Sequence, residues 1–491
     1  MTTQLTRIAL DFKRRVHSFF ELCIILLRPG MLSLVIVATA SCPAQVLTTL
    51  ATFDGTHGGN PQLMNLAQGL DGNLYGTAKF GGTSGNGVIF KISRAGYAVL
   101  HNFTGTAPEG KYPVAGLLLG TNGNFYGTTE QGGTGAAGTV FRMTQRGAFG
   151  TLHDFNGVDG YLPDAPLIQV GGSYFGTTIA GGSANAGVAY GISDAGVLLG
   201  EYSFAGTPDG GTPRAPVLYG SDGSFYGTTE SGGTLFNPGG TVFRITPPGN
   251  EVVLQSFDGD EPYGGLVQGP DGSFYGTTLI GGRFSAGTIF KVSADGKTLT
   301  KLHDFGVGTN DGAEPYDGLV LANDGYLYGT TSAGLGTVNE FGTIFRIATD
   351  GSKYSILYRF QNTTDGSYPK GGLLQATDGN FYGTTDRGGI VNNAVCLDGG
   401  TCGVVFRFSM NLAPFVKTLP DHGAAIGAKI KILGSHLLRT STVMFGDKPA
   451  VFQIVSDTEL TATVPVDAKT GLITVTIPSR NLQTIAPFHV P

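Results

Sequence analysis

Three histidines and a set of carboxylates are the residues whose chemistry asks first for an explanation. His153 and His303 stand in Leu-His-Asp-Phe, and His101 occupies the same place in Leu-His-Asn-Phe. A base beside a carboxylate is the minimal arrangement for moving a proton. Glu109, Asp159, Asp209, Asp258, Asp311 and Asp365 each precede a glycine, with Tyr112, Tyr161, Tyr263, Tyr316 and Tyr368 close by in several of those segments. Tyrosine faces with neighbouring carboxylates suit a sugar, which stacks on the ring and hydrogen-bonds to the acid. A carboxylate pair at the right separation can also cleave a glycosidic bond. The candidate ligand-binding residues are therefore Tyr112, Asp159, Tyr161, Tyr263, Asp311, Tyr316, Asp365 and Tyr368. The competing reading makes Asp-Gly a turn and Tyr a wedge between elements. No catalytic residue is assigned. No serine sits in a strand-turn-helix elbow, no Asp-x-Asp-x-Asp-Gly calcium loop occurs, and the Gly-rich segments do not lead into helices that would hold phosphate. The sequence therefore calls for no metal and no cofactor.

The elements that must position these residues repeat along the chain. Gly-Thr follows an aromatic at Tyr75, Tyr126, Phe175, Tyr226, Tyr275, Tyr328 and Tyr382, with gaps of 51, 49, 51, 49, 53 and 54 residues. A proline keeps the same phase at Pro61, Pro113, Pro163, Pro213, Pro262, Pro315 and Pro369. So do two aromatic columns, one at Phe90, Phe141, Tyr190, Phe243, Phe290, Phe345 and Phe406, the other at Phe53, Phe103, Phe155, Phe204, Phe257, Phe305 and Phe360. Several signals in one period identify seven copies of one unit. The histidines then look different, because Tyr202, Gln255 and Tyr358 take their place in other copies. This favours a scaffold position over a catalytic one.

Each unit reads as four short strands joined by three turns, with Asp-Gly where a tight hairpin needs positive φ. A four-stranded antiparallel unit repeated seven times predicts an all-β, seven-bladed β-propeller, since each sheet must bury its faces against its neighbours. Val46 to Phe53 matches a fourth strand, whereas the last unit stops after its third strand at Gly403 to Ser409. The N-terminal strand is therefore expected to complete the seventh blade and close the ring, which removes open sheet edges. The third unit has a shorter first turn, and the sixth and seventh have longer loops at Ser332 to Gly342 and Asp386 to Gly403. The face carrying those loops and the inter-blade crossings is the expected binding face.

Tyr-Gly-Thr-Thr-x-x-Gly-Gly followed by Gly-Thr-Val-Phe resembles the Gloeo/Verruco tandem repeat family of exported bacterial proteins, over residues 46 to 409. The resemblance implies a secreted or surface-attached propeller and carries no agreed activity. Kelch propellers share the diglycine, but their characteristic Trp is missing from a chain with no Trp. After Asn411 the repeat gives way to alternating segments at Ala428 to Leu433, Thr442 to Phe445, Ala450 to Val455, Glu459 to Val464 and Leu472 to Ile477. These read as strands of an antiparallel sandwich. With Leu419-Pro420, Gly423, Leu433-Gly434, Val443-Met444-Phe445-Gly446 and Val464-Pro465, the segment resembles an IPT/TIG immunoglobulin-like domain, a module that implies spacing or adhesion.

Composition narrows the class of the chain and of its partners. Of 491 residues 81 are Gly, which excludes a helix bundle, while 31 Phe and 19 Tyr supply the apolar mass of large cores. A formal charge of −6 offers nothing to a phosphate backbone, so no nucleic acid is expected as partner. Lys13, Arg14, Arg15 and Arg28 precede the apolar run Met31 to Ala40, an order that reads as an export signal. Arg28, Pro29 and Gly30 divide the apolar residues into pieces too short to span a membrane. Cleavage before Gln45 is expected, with lipid attachment at Cys42 as the less favoured alternative. The expected parts are a leader at 1–44, a propeller at 45–410 and an IPT/TIG-like domain at 411–491. Cys396 and Cys402 are expected to form a short-loop disulfide in an oxidising compartment. The sequence thus points to a secreted or cell-surface monomer without a membrane span. It would be a noncatalytic binding or adhesion protein for a surface glycan or protein; a polysaccharide hydrolase or lyase, or an envelope spacer, are the alternatives.

Overall fold

The computed structural model describes residues 45–491 apart from 64, 236, 248, 309–310, 335–340, 390–395, 397–400 and 422. The leader with Cys42, and parts of the two long loops, lie outside the described residues. Seven four-stranded antiparallel sheets follow one another as blades I to VII. They span 67–102, 118–154, 168–203, 218–258, 267–304, 320–359 and 374–409. Blade VII supplies only three strands of its own. Its fourth is the N-terminal strand β1 (Val46–Thr52), which pairs antiparallel with Val404–Ser409 from Val46↔Ser409 to Thr52↔Val404. The ring closes as the repeat register predicts.

The repeated motif is a set of contacts that fasten each sheet to the next. In the second strand the Tyr ring packs on the aromatic of the following blade, as Tyr75 does on Phe125 at 4.2 Å. Its hydroxyl donates to the turn aspartate four residues earlier, 2.8 Å for Tyr226 to Asp222 and 2.7 Å for Tyr382 to Asp378. A Cβ on the next residue, Gly276, would stand 2.6 Å from Cζ of Phe290, so the third-strand ring needs glycine beneath it. The first Thr reaches into the next blade, Thr177 Oγ1 donating to Ala215 O at 3.0 Å and Thr277 Oγ1 to Asp317 O at 2.9 Å. The second meets the third strand, as in Thr129 to Thr139 at 2.8 Å. Finally the fourth-strand Phe stands edge-on against the third-strand ring of the following blade, 5.0 Å for Phe204 and Phe243. Phe53 does the same to Phe90 at 5.3 Å, so β1 also locks blade VII to blade I.

The C-terminal part forms two sheets. One orders Lys417–Leu419, Lys429–Leu433, Glu459–Thr463 and Phe452–Ile454; the other orders Lys448–Pro449, Thr442–Phe445, Ile473–Ile477 and Arg480–Gln483. Five of these strands match the alternating segments of the sequence. The three extra ones, at 417–419, 448–449 and 480–483, are short edge strands whose alternation is too brief to read. Ile432, Leu460, Val475 and Leu482 fill the space between the sheets. This sandwich packs on the turns that join first to second strands. Thr458 Oγ1 donates to Leu70 O at 2.6 Å, Phe415 N to Thr377 O at 3.0 Å and Lys417 Nζ to Gln375 O at 2.6 Å. Those turns lie at the opposite strand ends from the inter-blade crossings, so the crossing face is the one the sandwich leaves uncovered.

Candidate functional site

Each crossing carries a carboxylate, and the structure spends it on holding the crossing. Asp311 accepts from His303 Nε2 at 3.1 Å, from the Tyr354 hydroxyl at 2.7 Å, and from Gly306 N and Val307 N at 3.0 Å each. Burial pushes its carboxyl up, but the hydrogen bonds from His303 and Tyr354 outweigh it and hold the group below the usual carboxylate range. Asp159 pairs with His153 at 3.1 Å and accepts from Asn156 N at 2.9 Å. Asp365 takes the Tyr358 hydroxyl at 3.0 Å together with Gln361 N and Thr363 N. Asp209 takes the Tyr202 hydroxyl and Ala205 N, and Glu109 binds His101 and Thr104 N. The histidines therefore do not work with the adjacent Asp154 or Asp304. They and the tyrosines of the same column are interchangeable hydrogen-bonding partners of a loop carboxylate that also satisfies backbone N–H groups. Asp258 ends a strand instead, and Asp260 takes its crossing, accepting from Gly282 N at 3.0 Å and Lys301 Nζ at 2.6 Å.

The five candidate tyrosines separate. Tyr112 and Tyr368 precede the crossing proline with φ of 60° and 55°, and their backbone carbonyls accept from Glu130 N and Asp386 N. Tyr161 is exposed and bridges by its backbone to Ala180. Tyr263 and Tyr316 follow the proline, and of the five candidates only these two meet one another, ring centres 5.4 Å apart and edge-on; Tyr112 and Tyr368 pack on Phe80 and Phe341 instead.

The position after the proline forms an arc across five consecutive blades: Asp164, Arg214, Tyr263, Tyr316 and Lys370. The Arg214 guanidinium pairs with Glu230 and with Asp164 at 3.4 Å and lies 5.1 Å from the Tyr263 ring centre. Lys370 lies 5.4 Å from the Tyr316 ring centre and pairs with Asp386 at 3.2 Å. Side chains from one column of successive blades touch in this way only where the blades converge, so the arc rims the axis on the crossing face. Lys79 and Glu130 extend it with an ion pair of 2.7 Å. Asp164 is buried, and its carboxyl is pushed up to about 6 by burial and the charge of Glu130, against the pull of Arg214 and Lys79. Asp164 Oδ1 and Asp386 Oδ1 are buried without a hydrogen-bond partner among the described residues. Asp317, one position further along its crossing, accepts from Gly318 N and Gly372 N and is pushed up to about 6 by burial.

Arg214, Lys370, Asp164 and Asp386 are absent from the sequence candidates. Their signal lay in the columns that vary between copies, after the proline and after Thr-Thr, whereas the candidates came from a column that repeats. Cys396 and Cys402 are paired, with Cα atoms 5.1 Å apart, and Cys402 Cβ packs at 3.5 Å from the position of a Cβ on Gly59. Among the described residues no cluster of His, Cys, Asp and Glu is placed to hold a metal ion, and no helix is long and apolar enough to cross a membrane.

The Gloeobacter/Verrucomicrobia repeat matches residues 37–236 and 217–428, and the IPT/TIG domain matches residues 418–488. No curated protein matches the chain. Among solved structures, the extracellular domain of a protein described as a hybrid two-component system from B. thetaiotaomicron is 10% identical with a TM-score of 0.50, covering 90% of this chain and 53% of that one. An inactive virginiamycin B lyase from Staphylococcus aureus is 16% identical with a TM-score of 0.49, covering 74% of this chain and 99% of that one. Oligogalacturonate lyase from Vibrio parahaemolyticus is 9% identical with a TM-score of 0.45, covering 74% and 97%. At 10% identity the likeness to the first of these is one of fold alone, and a fold does not by itself carry an activity.

Proposed function

From the premise that the chain belongs to the Gloeobacter/Verrucomicrobia repeat family, we propose that it is an exported, noncatalytic recognition protein that binds a surface glycan at the axial rim of its crossing face. One observation carries the reading: Tyr263 and Tyr316 stand together between Arg214 and Lys370, beside buried carboxylate oxygens of Asp164 and Asp386 that have no hydrogen-bond partner among the described residues. Ring faces take the apolar side of a sugar, while fixed charges take its hydroxyl groups. The export signal supports a location where such a ligand is met, and the sandwich leaves this face accessible while able to act as a spacer on the other. The noncatalytic part rests on the crossing histidines, which are committed to the crossing carboxylates, and on those carboxylates, which also hold backbone N–H groups.

Asp164 supports a second reading as a polysaccharide-cleaving enzyme, because a carboxyl raised to about 6 beside Arg214 has the form of a general acid or base. Incubating the purified chain with a panel of polysaccharides, following retained protein and released sugar together, separates the two. Saturable retention without product is the expected result. Product release that disappears in Asp164→Asn would replace binding by catalysis, and neither retention nor product would overturn the glycan reading.

A further inference from the structure

Six of the seven blade interfaces are sealed at their outer strands by an apolar pair. Three residues before the fourth-strand Phe stands a leucine, and it packs against an apolar residue six before the Phe of the next blade. Leu50 meets Tyr97, Leu100 meets Phe149 and Leu302 meets Tyr354 in this way. Between blades III and IV both members change, to Glu201 and Glu251. The strand bulge shifts as well. In blade I the ladder skips Leu100, whereas in blade III it skips Leu199 and puts Gly200 opposite Gly191.

With Ala189, Gly191 and Gly200 in place of larger residues, the two sheets leave a cavity of about 370 Å³ between them. Phe175, Tyr202, Val217, Tyr219, Phe225 and Ile245 form its walls, and the exposed Glu201 also lines it. A cavity of ~150 Å³ lined by apolar side chains accepts benzene, so this one has room for two fused rings and a short arm. Glu251 stands where the other interfaces place leucine or an aromatic ring, Leu198 and Leu299 in the two beside it, and it reaches the wall residue Tyr202. Its Oε1 is buried without a hydrogen-bond partner among the described residues. The titratable groups around it are Tyr202 and Asp209; no cation faces it among the described residues. An apolar space beside an unbalanced carboxylate is complementary to a molecule with an apolar body and one positive charge.

We propose that the cavity between blades III and IV binds a small aromatic amine, its rings among Phe175, Tyr219 and Phe225 and its ammonium group on Glu251. The site is separate from the axial rim and stands whether or not a glycan binds there.

The chain contains no Trp, so indole emission reports the ligand alone. Titrating the purified chain into tryptamine, indole and indole-3-acetate tests body and charge separately. Tryptamine should bind saturably, about tenfold more tightly than indole, the size of one charge-assisted hydrogen bond, with indole-3-acetate weakest. Glu251→Gln should erase the preference for tryptamine while leaving indole bound. Gly200→Leu, whose new side chain enters open space, should block both probes; Glu251→Phe, which copies Phe149 at the interface between blades I and II, should do the same if Gly200→Leu fails to fold. Equal affinity for tryptamine and indole, absence of saturable tryptamine binding, or full binding by the filled variants would each overturn the proposal.

Discussion

Two sets of polar residues share each crossing only a few positions apart, and they behave in opposite ways. The carboxylate that starts the crossing recurs in nearly every blade and is consumed by the crossing itself, as Asp311 is by His303, Tyr354 and three backbone amides. The residue after the proline changes from blade to blade, from Asp164 to Arg214, Tyr263, Tyr316 and Lys370, and faces its counterparts around the axis. In a repeat protein a position that recurs serves the element every copy must build. A position released from that duty is where a single asymmetric site can be assembled.

The largest effect expected is on the frame that both sets depend on. Deleting Val46–Thr52 leaves the third strand of blade VII with an unpaired edge, and the single unfolding transition of the propeller should split or move to markedly lower temperature. Calorimetry on the shortened chain gives the answer, and an unchanged transition would mean that β1 does not hold the ring. Next comes the scaffold set. Asp311→Ala removes the acceptor of five donors and should cost about 2 to 3 kcal/mol, while glycan retention by the folded protein stays unchanged. This contribution is in place above the usual 3.8 and is lost as pH falls through the lower value the folded carboxyl has, so the variant should also lose part of the chain's acid sensitivity. Denaturant titration at two pH values reads both changes. If retention fell together with stability, the two sets would not be separable.

The rim should respond in the reverse sense. Tyr263→Ala with Tyr316→Ala removes two half-buried rings that brace no strand. The melting temperature should move little, while affinity for the retained polysaccharide should fall by about tenfold or more, as for loss of stacking anchors. Retention measured over a polysaccharide concentration series distinguishes this from a wedge role, in which stability would fall and affinity would not.

Much of this arrangement is legible in the sequence because the contacts are periodic. Tyr75, Gly276 and Thr177 have counterparts around the ring that do the same job, so the column is visible before its purpose is. Ring closure by β1 follows from counting strands. The rim residues are harder to read, because comparing copies marks Arg214 and Lys370 only as disagreement, and their meeting with Tyr263 and Tyr316 depends on convergence at the axis. The tyrosines Tyr112, Tyr161 and Tyr368 look equivalent in composition but sit one or two residues before the proline rather than after it. That offset decides whether a ring joins the arc.

The smallest effect sharpens the same lesson at the exceptional interface, where both members of a repeating apolar pair have changed. Burial and the charge of Asp209 raise the Glu251 carboxyl from 4.5 to about 7, although its hydrogen bond with Tyr202 pulls the other way. Between those values the folded chain keeps a proton that the unfolded chain has released, so stability falls as pH rises through the window. Glu251→Gln cannot lose that proton. Its melting temperature should match that of the unmodified chain below 4.5 and exceed it above about 7. An ammonium ligand in the cavity should narrow the difference from the other side, because it stabilises the unmodified chain with ionised Glu251 more than the variant, which keeps only the affinity of the rings. A pH series of thermal melts with and without tryptamine tests both halves. Parallel curves for the two chains would show that Glu251 is solvated like an ordinary surface acid, and the contrast between this interface and the other six would reduce to packing alone.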